Sequence, residues 1–189
     1  DLMEPGLTVA IKEAPGAAVI TYTRLKLASA GERAAEPRAD SQPAPLAVYN
    51  RGRCGQNSGI VREKFGADAL TFNPKPDYVL IYIGMNDVIN DQFFTPLDKY
   101  IENMTWMIEQ ARKAGIQPVI CTIHHVVEAE VYKHHSRDKF GAETVNGKMD
   151  RYNAALRKLA AEQKVLLADF GAVTARARST AFQAVNGHG

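Results

Sequence analysis

Residues 77–87 read DYVLIYIGMND, and the fold follows from how that stretch is understood. After Asp77 it runs Tyr78, Val79, Leu80, Ile81, Tyr82 and Ile83, which are uncharged and rich in β-branched and aromatic side chains. That length and composition predict a strand buried on both faces, as in the middle of a parallel sheet. The run stops at Gly84-Met85-Asn86-Asp87, so a small residue, an amide and a carboxylate sit where the strand leaves the sheet. Ligands bind at the carboxyl ends of strands in open α/β sheets, which makes this turn a candidate site. The plainer alternative is a turn glycine followed by a helix cap.

Working outward, strands and helices alternate. Upstream, residues 46–49 (LAVY) predict a short strand running into the glycine-punctuated turn 50–58 (NRGRCGQNS), with Asn57 or Ser58 capping the next helix. Downstream, Thr95-Pro96-Leu97-Asp98 predicts a helix start with threonine as cap, and Leu97, Tyr100, Ile101, Met104, Ile108 and Ala111 share one face. Residues 118–123 (PVICTI) predict a fourth strand, and residues 148–163 an amphipathic helix with Met149, Tyr152, Leu156 and Leu159 on its apolar side. Residues 165–170 (VLLADF) predict a fifth strand.

The first strand is open between residues 7–11 (LTVAI) and 17–23 (AAVITYT). The former register is preferred and makes 18–30 a helix. Residues 31–45 form a polar, proline-containing surface connection and 124–147 an irregular excursion. Residues 171–189 are weakly patterned and read as a disordered or truncated terminus. The alternation predicts one domain over 1–189, an α/β fold of three layers (α/β/α) with a flavodoxin-like parallel sheet of about five strands.

Composition narrows the partners. Hydrophobic residues at 46% and charged residues at 23% are globular values, and 189 residues bury a core without disulfide or metal staples. A net charge of +2 without a basic, aromatic-interleaved stripe argues against a nucleic-acid partner. The apolar runs are strand-sized, so no membrane span is expected. The opening residues, DLMEPGLTVAIKEAPG, lack the basic segment and long apolar core of a signal peptide, and nothing assigns a compartment or an oligomeric state. Cys54 and Cys121 make neither a disulfide scaffold nor a zinc ribbon. The pattern Asn103-Met104-Thr105 lies inside a predicted helix and reads as a chance glycosylation match.

Two turns, each directly after a predicted strand, carry a resemblance. Asn50-x-Gly52-x-x-Gly55 with Ser58 nearby, and Gly84-Met85-Asn86-Asp87, resemble the second and third sequence blocks of the GDSL-type lipases and esterases, also called SGNH hydrolases. The resemblance implies ester hydrolysis without a cofactor, in which a serine attacks the carbonyl of an acyl ester or acetylated sugar. It also implies that the backbone N–H of Gly55 and the side-chain amide of Asn86 donate to the oxyanion. His188, near the end of the chain, is the family histidine by position.

The other two blocks depart from the pattern. No Gly-Asp-Ser occurs, so the nucleophile is not identified; Ser41 follows a polar stretch and reads as loop. Val185 stands where the last block carries its acid, three residues before His188. A pseudoenzyme that keeps the pocket as a binding site is therefore one alternative. A second is a metal-dependent hydrolase built on His124-His125 and His134-His135, although adjacent histidines in a strand point to opposite faces.

Overall fold

The protein was analysed as a computed structural model that describes residues 10–14, 17–21 and 47–177. These fall into two compact units, one within residues 1–50 and one within 51–189. The first contains an antiparallel hairpin, β1 (Ala10–Ala14) and β2 (Ala17–Thr21), in the register Ala14↔Ala17 to Ala10↔Thr21. The helix expected over 18–30 is thus a strand at its start. Val19, Ile20 and Thr21 are consecutive β-branched residues, which lose side-chain freedom in a helix and fit a pleated strand. Of the candidate first strand 7–11, residues 10 and 11 belong to β1 and residues 7–9 lie outside the described residues, and β1 pairs with the strand that opens the other candidate.

The second unit is built on a parallel sheet. Its strands β3 (Tyr78–Ile81), β4 (Gln117–Cys121) and β5 (Leu166–Ala168) lie in that order, with Leu80↔Val119 and Val119↔Leu166 in register. Between them run α1 (Ser58–Phe65), which continues as a π-helical turn over Gly66–Leu70, α2 (Met85–Ile89) and α3 (Leu97–Lys113). Then come α4 (Glu128–Val131), a 3-10 turn (Arg137–Phe140) and α5 (Val145–Gln163); a last helix, α6, starts at 170 and runs through 177. Residues 47–49, expected as strand, form no ladder, and Val48 and Tyr49 are exposed.

α1 packs on α3, α3 on α5 and β4, and α5 on β5, so the three long helices cover one sheet face. The periodicities explain this. On α3, Tyr100, Met104, Met107, Ile108 and Ala111 are fully buried, and on α5 Val145, Met149, Tyr152 and Leu156 are. They meet Ile81, Ile120 and Ile123 of the sheet in a single core. The other face behaves differently: Tyr78 (61%), Leu80 (57%) and Leu166 (37%) stay exposed.

Thr95 does not cap α3. Its hydroxyl donates to the Phe93 carbonyl (3.3 Å) and accepts from Asn57 Nδ2 (3.2 Å), and Pro96 occupies the cap position without a side-chain bond. Thr144, which the periodicity did not mark, caps α5 by accepting from Gly147 N (3.1 Å).

Candidate active site

The carboxyl ends of the parallel strands carry the chemistry. β3 leaves the sheet through Gly84, whose φ of 132° belongs to glycine. A Cβ there would lie 2.6 Å from Ile123 Cδ1 and 2.9 Å from the Tyr100 hydroxyl. Tyr100 is fully buried and donates to the Ile83 carbonyl (2.9 Å), pinning the strand end to α3. Tyr152 packs its ring 5.3 Å from that of Tyr100 and donates to the Thr95 carbonyl (2.6 Å), so α5 fixes the same corner.

Asp87 then ties the two turns together. Its carboxylate is fully buried and accepts from Ser58 N (3.0 Å to each oxygen) and from Ser58 Oγ (2.5 Å). Burial pushes its pKa up, while bonds from Ser58 and Thr95 oppose that rise. Ser58 Oγ in turn accepts from Asn103 Nδ2 (3.0 Å), so this hydroxyl is enclosed and engaged on both sides. Asn103 is 2% exposed, which removes it as a glycan acceptor. Asn57 caps α1 through Oδ1, accepting from Ile60 N (3.0 Å), and its Nδ2 donates to the Phe93 carbonyl (2.8 Å).

Held this way, the turns meet. Asn86 is half-buried, and its Nδ2 donates to the Gln56 carbonyl (2.8 Å), one residue beyond Gly55. Gly55 is exposed, with φ 75° and open space where a side chain would stand. Two residues 31 apart in sequence, Gly55 and Asn86, are therefore neighbours. His188, the third residue expected at the site, and Ser41 lie outside the described residues. The serines among the described residues are Ser58, which is locked as above, and Ser136, which caps the 3-10 turn.

The histidine pair after β4 splits between two environments. The Tyr82 hydroxyl and His124 Nδ1 are hydrogen-bonded, and the Tyr82 ring also packs 5.4 Å from Phe170. Burial, and then the neighbouring His125, lowers the His124 pKa. His125 Nε2 donates to Asp150 (2.7 Å), its side chain is 5% exposed, and its Nδ1 is buried without a partner among the described residues. Among those residues no three His, Cys, Asp or Glu side chains converge as metal ligands.

Sequence reasoning missed the asparagines of α5. Asn153 accepts from Ile123 N and donates to Ile123 O (2.7 Å each), and Asn146 does the same for Val126 (2.9 and 3.0 Å). A polar residue on the apolar side of a helix, at 146 and again at 153, was the available signal.

Among the described residues, a three-stranded parallel sheet with paired turns at its carboxyl edge makes this an α/β fold. The sequence signature of the GDSL-like Lipase/Acylhydrolase family matches residues 10–188, and the chain belongs to that family. A curated relative, the uncharacterized lipoprotein YqeF of Bacillus subtilis, is 32% identical over 93 residues, 48% of this chain and 37% of that protein. Among solved structures, the acetylxylan esterase Axe2 from Geobacillus stearothermophilus aligns with a TM-score of 0.53 at 21% identity, over 67% of this chain and 55% of that one. A GDSL-like lipase from Bacteroides thetaiotaomicron aligns with a TM-score of 0.50 at 22% identity, over 61% and 52%. These structural likenesses establish the fold. The chain spans little more than a third of that curated relative and about half of those solved structures.

Proposed function

We propose that the protein hydrolyses carboxylic esters of small molecules, with the Gly55 backbone N–H and the Asn86 amide donating to the oxyanion. The observation that carries this reading is the Asn86 Nδ2 to Gln56 carbonyl bond (2.8 Å), which brings the amide to the Gly55 turn. One amide hydrogen is spent on that bond, and the second is left to donate. Preorganised, neutral donors of this kind stabilise charge that appears only in the transition state. Asp87 serves as a positioning residue, because its carboxylate holds the start of α1 against α2. The family membership and the esterase and lipase neighbours support ester chemistry, and an acetylated sugar is the substrate class that the Axe2 likeness suggests.

Among the described residues no nucleophile is assigned. Ser58 is unsuited to the role, since its hydroxyl already donates to Asp87 and is fully buried. The test is p-nitrophenyl acetate hydrolysis by wild type and Asn86→Ala, with fluorophosphonate labelling to locate the nucleophile. The variant is expected to lose about 10²–10³ in kcat, the typical cost of one oxyanion donor. Equal rates in both would refute the assignment of Asn86. An absence of any adduct on the wild type would favour the non-catalytic binding role.

A further inference from the structure

A cavity of about 240 Å³ lies where the end of α2, the 3-10 turn and the start of α5 meet. Val88 and Ile89 supply apolar wall, and Phe94 and Phe140 supply two aromatic rings. Lys148 enters between those rings, its ammonium 4.3 Å from the Phe94 centroid and 5.5 Å from that of Phe140. Among the described residues, Lys148 has no carboxylate partner. The nearby acids are already engaged: Asp91 pairs with Lys139, and Glu143 holds Arg151 through two bonds of 3.0 and 2.9 Å. Of the charged residues that line the cavity, Lys139 and Asp91 pair with each other, which leaves the positive charge of Lys148. Asn90 also lines it, and since its Oδ1 accepts from Gln92 N (3.1 Å), what it can offer a ligand is its NH₂. Burial and then Arg151 lower the pKa of Lys148, while Glu143, which forms no bond to it, opposes that shift.

We infer that this cavity binds a small monocarboxylate with a flat apolar body, its carboxylate on Lys148 and its body along the apolar wall of Val88, Ile89 and Phe94. Its volume lies below that of a drug-sized pocket, which suits a small ligand such as benzoate. A single net charge and apolar walls match a monoanion; a phosphate dianion would call for a guanidinium or several further donors. Neither Gly55 nor Asn86 lines this cavity, and the inference does not rest on the hydrolysis proposed above.

The test is titration of the full chain with sodium benzoate, followed by ligand-detected NMR, with benzamide as the neutral isostere and inorganic phosphate as competitor. Benzoate is expected to bind with a Kd of about 1 mM, the scale set by nine non-hydrogen atoms. Benzamide should bind at least about tenfold more weakly, the loss of one charge-assisted bond. Lys148→Gln should weaken benzoate by a similar factor, while Lys148→Arg should retain it. Phe94→Ala alters an exposed side chain and should weaken benzoate several-fold with folding intact. Equal binding of benzoate and benzamide, unchanged affinity in Lys148→Gln, displacement by equimolar phosphate, or no saturable binding would each overturn the inference.

Discussion

The Asp169 carboxylate accepts bonds from three directions at the end of β5. Thr122 Oγ1 donates to it from just beyond β4 (2.8 Å), Arg157 from α5 through Nε (2.8 Å) and Nη2 (2.9 Å), and Ala172 N from the first turn of α6 (3.1 Å). Arg157 foremost, then Thr122 and Ala172, hold its pKa down to about 2 against a partial desolvation, from an ordinary 3.8. The folded-state pKa is depressed, so the stability it confers is present above pH 3.8 and is lost as pH falls through about 2. Asp169→Asn should cost about 1–2 kcal/mol at pH 7, discounted because the pair is about one-third exposed. Urea denaturation of both proteins from pH 7 down to pH 2 should show that gap closing between about pH 4 and pH 2. A gap that stays constant would contradict the assignment. Asp169 was legible only as the end of a strand; its partners come from three segments, which no local pattern reports.

At the scale of elements, the turn after β3 is where pattern and structure agree best. GMND follows a strand of the parallel sheet, and three of its four letters have a distinct duty: Gly84 passes Tyr100 and Ile123, Asn86 reaches Gln56, and Asp87 seats Ser58. Gly84→Ala combines a positive φ with a 2.6 Å contact in a packed corner, so it should cost about 3 kcal/mol or more in thermal denaturation. A loss under about 1 kcal/mol would mean that the corner relaxes readily. The elements read less well depended on competition between partners. Thr95 carries the letters of a helix cap, yet its hydroxyl goes to Phe93 and Asn57, a partner 38 residues away. Residues 17–21 have apolar spacing that a helix could use, yet β-branching and a facing strand decide the outcome.

For the whole molecule, the two faces of the parallel sheet contrast most. Helical periodicity correctly marked the inward residues of α3 and α5, because burial against a sheet demands one continuous stripe. The run 78–83 predicted burial on both faces, but Tyr78, Leu80 and Tyr82 form an exposed row, continued in register through Val119 to Leu166. A contiguous apolar face of this kind binds hydrophobic dyes and promotes association. Leu80→Lys with Leu166→Lys should therefore sharply reduce anilinonaphthalene sulfonate fluorescence, while stability stays within about 1 kcal/mol. Unchanged dye binding would show that the dye sits elsewhere.

The two asparagines of α5 act as a ruler. Asn146 and Asn153 are seven residues apart on a helix, about 10.5 Å of rise, and the residues they grip, Val126 and Ile123, are three apart on extended chain, about 10 Å. The spacings match, and the two segments run in opposite senses, so each side-chain amide replaces a missing neighbouring strand. Adding or deleting one residue between 123 and 126 would put the second grip out of phase. Length changes at 133–135, between α4 and the 3-10 turn, leave both grips, the Thr144 cap and the buried Phe140 in place, so the corner keeps its shape.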